Sequence, residues 1–272
     1  MASSGERFDA SQILTFAAPR WQHRPHMARY DDETWSKGGS KILRHARSQG
    51  GWTPAQEATA EWNEAIDAHL TKYVGETSFV FHEIVSDKIH LDVHIIPPGA
   101  KRPFIMLYTT GMSAKPMTRP EGAPGSDYAE LSILLPPTWQ CTEAGFKDDR
   151  WYWPIRWLKT LARLPHDYST WLGHGHTVPN GDPAKPFDRS TKLAGMMVAR
   201  SITLEPEAHT IAVGDETVDL FTLWPLHANE MQFKLDQSAD ALFETFEQAQ
   251  VSDIIDPGRP SAVARKKLFG LF

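Results

Sequence analysis

Between Phe79 and Ile96 the chain alternates apolar and polar residues in two runs, Phe79 to Val85 and Lys88 to Ile96. A period of two is the signature of a β-strand with one dry face. In the second run Ile89, Leu91, Val93 and Ile95 share one face, and His90, Asp92 and His94 share the other. Ser86 and Asp87 between the runs predict a β-hairpin. A strand built this way needs a layer of other elements against its apolar side, so the chain must form a covered sheet.

Pro97, Pro98 and Gly99 break the second run, and Phe104 to Thr110 resumes as a nearly all-apolar strand suited to a central position. Tyr128 to Leu135 reads as a further strand stopped by Pro136 and Pro137, and two more are predicted at Leu193 to Ile202 and Val218 to Trp224. Helical spacing appears in Trp62, Ile66, Leu70 and Tyr73, with Thr53 as cap, Pro54 in the first turn and Gly75 as the stop. A long helix with Pro154 near its start carries Ile155, Leu158, Leu161 and Ala162 and is expected to close at Pro165. Leu226, Glu230 and Phe233 predict one terminal helix, and Ser238 caps another with Leu242, Phe243 and Phe246. The stretch from His166 to Arg189 reads as a loop, too long to be idle in a compact domain.

Strands come in runs with no regular strand-helix alternation. The expected class is therefore α+β, a mixed and mostly antiparallel sheet flanked by helices. Three segments are expected: an irregular N-terminal extension over 1–53, a single domain over 54–255 and a basic tail over 256–272. Trp21, Trp35 and Trp52 in the extension exceed what a solvated tail needs, so part of it is expected to pack.

The net charge of -6 is a sum over unlike parts. Residues 1–55 and 256–272 each carry +3, which leaves -12 on the region between them. An acidic globule is a poor nucleic-acid binder, because phosphate affinity depends on Lys and Arg displacing counterions. It suits a basic protein partner. No apolar run reaches membrane-spanning length and no basic start precedes an apolar stretch, so neither a membrane span nor a secretory signal is expected. The single cysteine, Cys141, excludes an internal disulfide framework and suits a reducing compartment, here expected to be the cytoplasm.

The common enzyme signatures for nucleotides, nucleophilic serine and zinc proteases are absent, and no cofactor is expected. Histidine is locally concentrated, at His82, His90 and His94 and again at His166, His174 and His176. His90, Asp92 and His94 point the same way on a strand, but His90 and His94 lie roughly 13 Å apart by the rise per residue, too far to share an ion easily. Ser113 with His176 as base and Asp92 as orienter is a triad that only geometry can test. Trp139, Trp151, Tyr152, Trp153, Trp157, Tyr168 and Trp171 form an aromatic cluster, read mainly as core with some anchors for a partner.

Five stretches in order resemble the suppressor of fused domain family: HLDVHIIPP (His90 to Pro98), TTGMSAKPM (Thr109 to Met117), YAELSILLPPTW (Tyr128 to Trp139), WPIRWLKTLARLPHDYSTWLGHGHTVPN (Trp153 to Asn180) and LWPLHANEMQFKLD (Leu223 to Asp236). The resemblance runs from about Glu57 to Gln250, and the chain looks like a single-domain, bacterial-type member. It implies a non-enzymatic binding module with a mixed sheet. The animal member holds an extended peptide as an added strand between two domains; bacterial single-domain members are regarded as immunity proteins that neutralise a toxin. Family residues map onto His90, Asp92, Gly111, Met112, Ser113, Trp171, Gly175, His176, Thr177, Pro179 and Asn180, with His94, Tyr128 and Trp153 as further binding candidates. A contact between Asp92 and His176 is expected. His174 stands where the family leads one to expect an aromatic residue, which leaves a metal-dependent hydrolase using His90, Asp92, His174 and His176 as the alternative.

Overall fold

The computed structural model describes residues 13–17, 34–45, 54–82 and 88–263. In chain order the strands are β1 (Ile13–Ala17), β2 (Thr34–Trp35), β3 (Ser40–Arg44), β4 (Phe79–Phe81), β5 (Asp92–Ile96), β6 (Ile105–Thr110), β7 (Tyr128–Leu135), β8 (His176–Pro179), β9 (Leu193–Ala199), β10 (Thr210–Val213) and β11 (Glu216–His227). The helices are α1 (Ala60–Tyr73), α2 (Asp149–Tyr168), α3 (Ala228–Asp236) and α4 (Ala239–Gln248). Among the described residues all strands join one sheet in the order β2-β3-β1-β8-β9-β11-β7-β6-β5-β4, with β10 paired to β11. The β7–β11 pair is parallel and every other strand pair is antiparallel. The class is α+β with a mixed, mostly antiparallel sheet.

The period of two sorts each strand onto separate cores. Val93, Ile95, Ile105, Leu107, Leu131, Ile133 and Val198 face α2, whose Trp153, Trp157, Leu158 and Leu161 are buried against them. The alternate residues Ile96, Met106, Tyr108 and Leu134 face Ile66 and Leu70 of α1. Further along the sheet Met197, Trp224 and Leu226 pack on Met231 of α3 and on Leu242 and Phe246 of α4. Helices therefore cover both faces. A large side chain such as Trp157, at 1% exposure, contributes about 3 kcal/mol or more through burial, judged by the loss on truncating such residues to alanine.

Several boundaries differ from the sequence reading. Helix α1 starts later than Pro54 because Thr59 is its cap, its side chain accepting from the Trp62 amide at 3.4 Å. The second run of the hairpin becomes strand only at Asp92: Lys88 has φ 63, and Ile89 bridges Gln56. Ile89 and Leu91 still enter the α2 core. The turn read at Ser86 and Asp87 lies outside the described residues. Pro165 does not end α2: the helix runs on to Tyr168, the Thr170 amide donates back to the Pro165 carbonyl, and Ser169, at φ 49, closes it. The stretch read as a loop from His166 contains β8, stitched to β9 from His176 to Pro179.

The stretch read as an irregular extension holds β1, β2 and β3. Trp35 there is 53% exposed, and Trp21 and Trp52 lie outside the described residues. No described helix is long and apolar enough to cross a membrane.

Candidate functional site

The end of the sheet formed by β5, β6 and β7 is organised by one carboxylate. Glu130 on β7 is fully buried. Its Oε1 accepts from the Gly111 amide (3.0 Å), the Ser113 amide (2.9 Å) and the Ser113 hydroxyl (2.6 Å), and its Oε2 accepts from the Thr109 hydroxyl (2.6 Å). Hydroxyl contacts this short are typical of charge-assisted bonds. Burial nonetheless pushes its pKa up to about 7, against the pull of these donors. The carboxylate fixes the turn after β6, where Gly111 adopts φ 105 and runs so close to the neighbouring backbone that a Cβ would lie 1.9 Å from the His90 carbonyl oxygen. Only glycine fits there.

Gly111 and Thr110 line an open depression of about 180 Å³ together with Glu57, Ala58, Asn63, His90 and Asp92. Asp92 sits between two imidazoles, with Oδ1 3.3 Å from His90 Nε2 and Oδ2 3.1 Å from His82 Nδ1. His94, one pleat further on, stacks on Tyr108 at 4.6 Å and hydrogen-bonds Thr110 Oγ1 at 3.0 Å. Burial holds His94 below the usual imidazole range. Met112 is buried beneath, its carbonyl accepting from His166 Nε2 at 2.9 Å. Beside this group β4 is, among the described residues, the sheet's edge. Its Phe79 is 54% exposed and starts an aromatic row through Phe81 (4.8 Å), Phe146 (a further 4.8 Å) and Tyr152 (6.3 Å).

The remaining sequence candidates lie elsewhere. His176 and Thr177 are buried on β8. The His176 ring meets Trp171 edge to face at 4.3 Å, and its Nδ1 accepts from the Gly173 amide at 3.0 Å. Burial lowers its pKa well below the usual range, so the ring is neutral. Gly175, at φ 83, donates to the Val198 carbonyl at 2.8 Å, and the Asn180 side chain closes the next loop on the carbonyls of Lys185 (2.8 Å) and Pro186 (3.0 Å). His174 accepts from the Arg200 amide at 3.2 Å and stacks on Phe243 at 5.1 Å. Trp153 is core, stacked on Phe187 at 4.8 Å, and Tyr128 packs edge-on against Trp62 at 4.8 Å.

The expected contact between Asp92 and His176 is not made. β9, β11, β7 and β6 lie between β8 and β5, a separation of roughly 24 Å along the sheet at the usual strand spacing. The set His90, Asp92, His174 and His176 is therefore split between distant strands, and among the described residues no group of three or more His, Cys, Asp or Glu is placed to hold a metal ion. Ser113 donates to Glu130, not to His176, so the triad does not assemble. Cys141 is half-buried, and burial pushes its thiol up to about 12; desolvation, more than the nearby charges, makes it inert. Trp139, Trp153 and Trp157 are core, whereas Trp151, Tyr152, Tyr168 and Trp171 are partly buried against it. Sequence reasoning missed Glu130. Its signal was present: a lone carboxylate inside YAELSILL (Tyr128–Leu135), a strand otherwise fit for burial.

The comparisons with known proteins agree with this architecture. A suppressor of fused homologue from Neisseria gonorrhoeae superposes with a TM-score of 0.58 at 17% identity, covering 76% of this chain and 100% of that one. Drosophila Suppressor of Fused gives 0.54 at 16% identity, covering 78% of this chain and 52% of the fly protein. The Sufu-Fu complex gives 0.52 at 17% identity, with 73% and 91% covered. No curated protein matches the chain by sequence. The sequence model of the family described as Suppressor of fused protein (SUFU) matches residues 87–260, more than half of the chain and all of the elements from β5 to α4, so the chain belongs to the suppressor of fused family.

Proposed function

We propose that this protein is a non-enzymatic, cytoplasmic binding module that masks a basic protein partner through the β4 end of its sheet. The observation that carries this reading is the edge itself: a short strand with an exposed Phe79 heading an aromatic row. Edge strands accept an added strand through backbone hydrogen bonds, and aromatic side chains supply much of the energy at interfaces. The neighbouring depression contributes Glu57 and Asp92, and the -12 charge of the central region favours a positively charged partner. A relative of the same fold has been solved as the Sufu-Fu complex, a protein-protein assembly. The narrower reading is an immunity protein whose partner is a toxin.

The test is binding of the purified chain to the product of the gene beside its own. A basic partner held with nanomolar to micromolar affinity, and weakened about tenfold or more by Phe79→Asp, supports the proposal. Binding indifferent to Phe79→Asp removes the β4 site. A neighbouring product without toxicity removes the immunity reading.

A further inference from the structure

The depression beside β4 is walled by separate segments of the chain, around Glu57 and Asn63, around Asp92 and around Gly111, and each is pinned. The Gln56 amide donates to the Lys88 carbonyl at 2.9 Å, its carbonyl accepts from the His90 amide at 3.0 Å, and its side-chain amide donates to the Ala114 carbonyl at 2.9 Å. Asp92 is held between His90 and His82, and Gly111 is held by Glu130. The opening, of about 180 Å³, has room for the head group of one side chain. A ligand entering it does not have to order the walls first, which favours binding.

The lining is rich in acceptors and holds neither lysine nor arginine. Glu57 is exposed, and Asp92 lies further in, its side chain 15% exposed. Asn63 adds Oδ1, which is buried with no hydrogen-bond partner. A buried acceptor without a donor is costly, so it favours a ligand that brings N–H groups. Glu61 and Glu64, exposed on the first turns of α1, extend the negative field. Lys159 of α2 feels the charge of Asp92 but does not line the opening. Among the described residues no group is placed to close around a bare metal ion, so the ligand must be a cation that spreads its donors.

We propose that the depression takes the guanidinium of a single arginine side chain of the basic partner; this rests on the binding function proposed above for this end of the sheet. Arginine carries five N–H donors in a rigid planar fork, whereas lysine carries three on a compact point charge. Glu57 and Asp92 take the charge, and Asn63 Oδ1 takes a further N–H. The aromatic row beside β4 supplies contact area, and the depression supplies discrimination of arginine from lysine.

The test is an NMR titration of the isotope-labelled full-length chain with N-acetyl-arginine methylamide, run beside the lysine analogue and the neutral, isosteric citrulline analogue. The arginine probe should shift the amides of Ala58, Asn63, Thr110 and Gly111 along one saturable curve, with a dissociation constant of about 10 mM or tighter. It should bind about threefold or more tighter than the lysine probe, weaken as salt is raised, and find no counterpart in citrulline. Glu57→Gln and Asp92→Asn should each weaken it about threefold or more. Glu57→Gln, at an exposed position, decides the matter if Asp92→Asn fails to fold. The proposal is overturned if these four amides show no saturable shift up to about 50 mM probe, if lysine or citrulline binds as tightly, or if Glu57→Gln binds as tightly as the parent chain. The titration uses no partner and leaves β4 intact, so it can fail while the β4 site stands, and the Phe79→Asp test can fail while the arginine pocket stands.

Discussion

Replacing Glu130 tests whether one buried carboxylate sets the conformation of the turn at Gly111. Burial raises the folded-state pKa from the ordinary 4.5 to about 7. The folded protein then holds a proton that the unfolded chain has released between those two values, so this group makes stability fall as pH rises through that window. At 1.36 kcal/mol per unit the loss is about 3 kcal/mol, complete above pH ~7. Buried histidines oppose it. His94, His166, His174 and His176 all lie below the usual imidazole value, so they add stability as pH rises towards ~6.5. The carboxylate must therefore be read by difference. Urea unfolding of the parent chain and of Glu130→Gln, from pH 4.5 to 8, should show the gap between them shift by about 3 kcal/mol in favour of the variant. Glu130→Ala, which strands the two amides and two hydroxyls that converge on this side chain, should lose about 4 kcal/mol or more at every pH. A gap independent of pH, or an alanine variant within about 1 kcal/mol of the parent, would refute the reasoning.

Three other outcomes follow from the same structure. Glu230 is fully buried and accepts from Arg259 at 2.7 and 2.6 Å, so Arg259→Ala should lower stability by about 3–5 kcal/mol in denaturant titration, by leaving a buried charge unpaired. Cys141, with its thiol pushed up to about 12, should react with iodoacetamide at pH 8 about a hundredfold or more slower than free cysteine, and at the free rate in urea. In a double-mutant cycle, Asp92→Ala and His176→Ala should add to within about 0.5 kcal/mol, because four strands separate the two residues.

That last cycle marks what the sequence could and could not carry. Alternation along a strand reports which face a side chain takes. Ile89, Leu91, Val93 and Ile95 accordingly all reach the α2 core, even though the first two lie outside β5. The extent of β7 is similarly legible, Tyr128–Leu135 stopped by two prolines, whereas β9 ends at Ala199 and not Ile202, and β11 runs Glu216–His227, past both expected ends and through Leu226, which helical spacing places in the terminal helix. The order of strands across the sheet has no such local signature. Nothing in HLDVHIIPP (His90 to Pro98) or in GHGHTVPN (Gly173 to Asn180) says that β9, β11, β7 and β6 stand between them. The expected contact between Asp92 and His176, and the metal set that holds both, require that order to be otherwise, and they fail on it.

The same distinction explains Glu130. Pattern reading treats a charge on a strand as a solvent-facing residue, because ionised groups are rarely buried unpaired. Glu130 is buried because its partners come from a different segment: Thr109, Gly111 and Ser113 converge on it only after β6 and β7 have paired from Tyr108↔Ser132 to Ile105↔Leu135. Its acceptors also explain why TTGMS (Thr109 to Ser113) has the composition it has. Two hydroxyls and two amides must point inward, and a glycine must pass within contact of the His90 backbone. The motif residues nearest the depression thus divide by role. Thr109 and Ser113 serve the Glu130 carboxylate, Gly111 both donates to it and lines the depression, and His90, Asp92 and Thr110 line the depression.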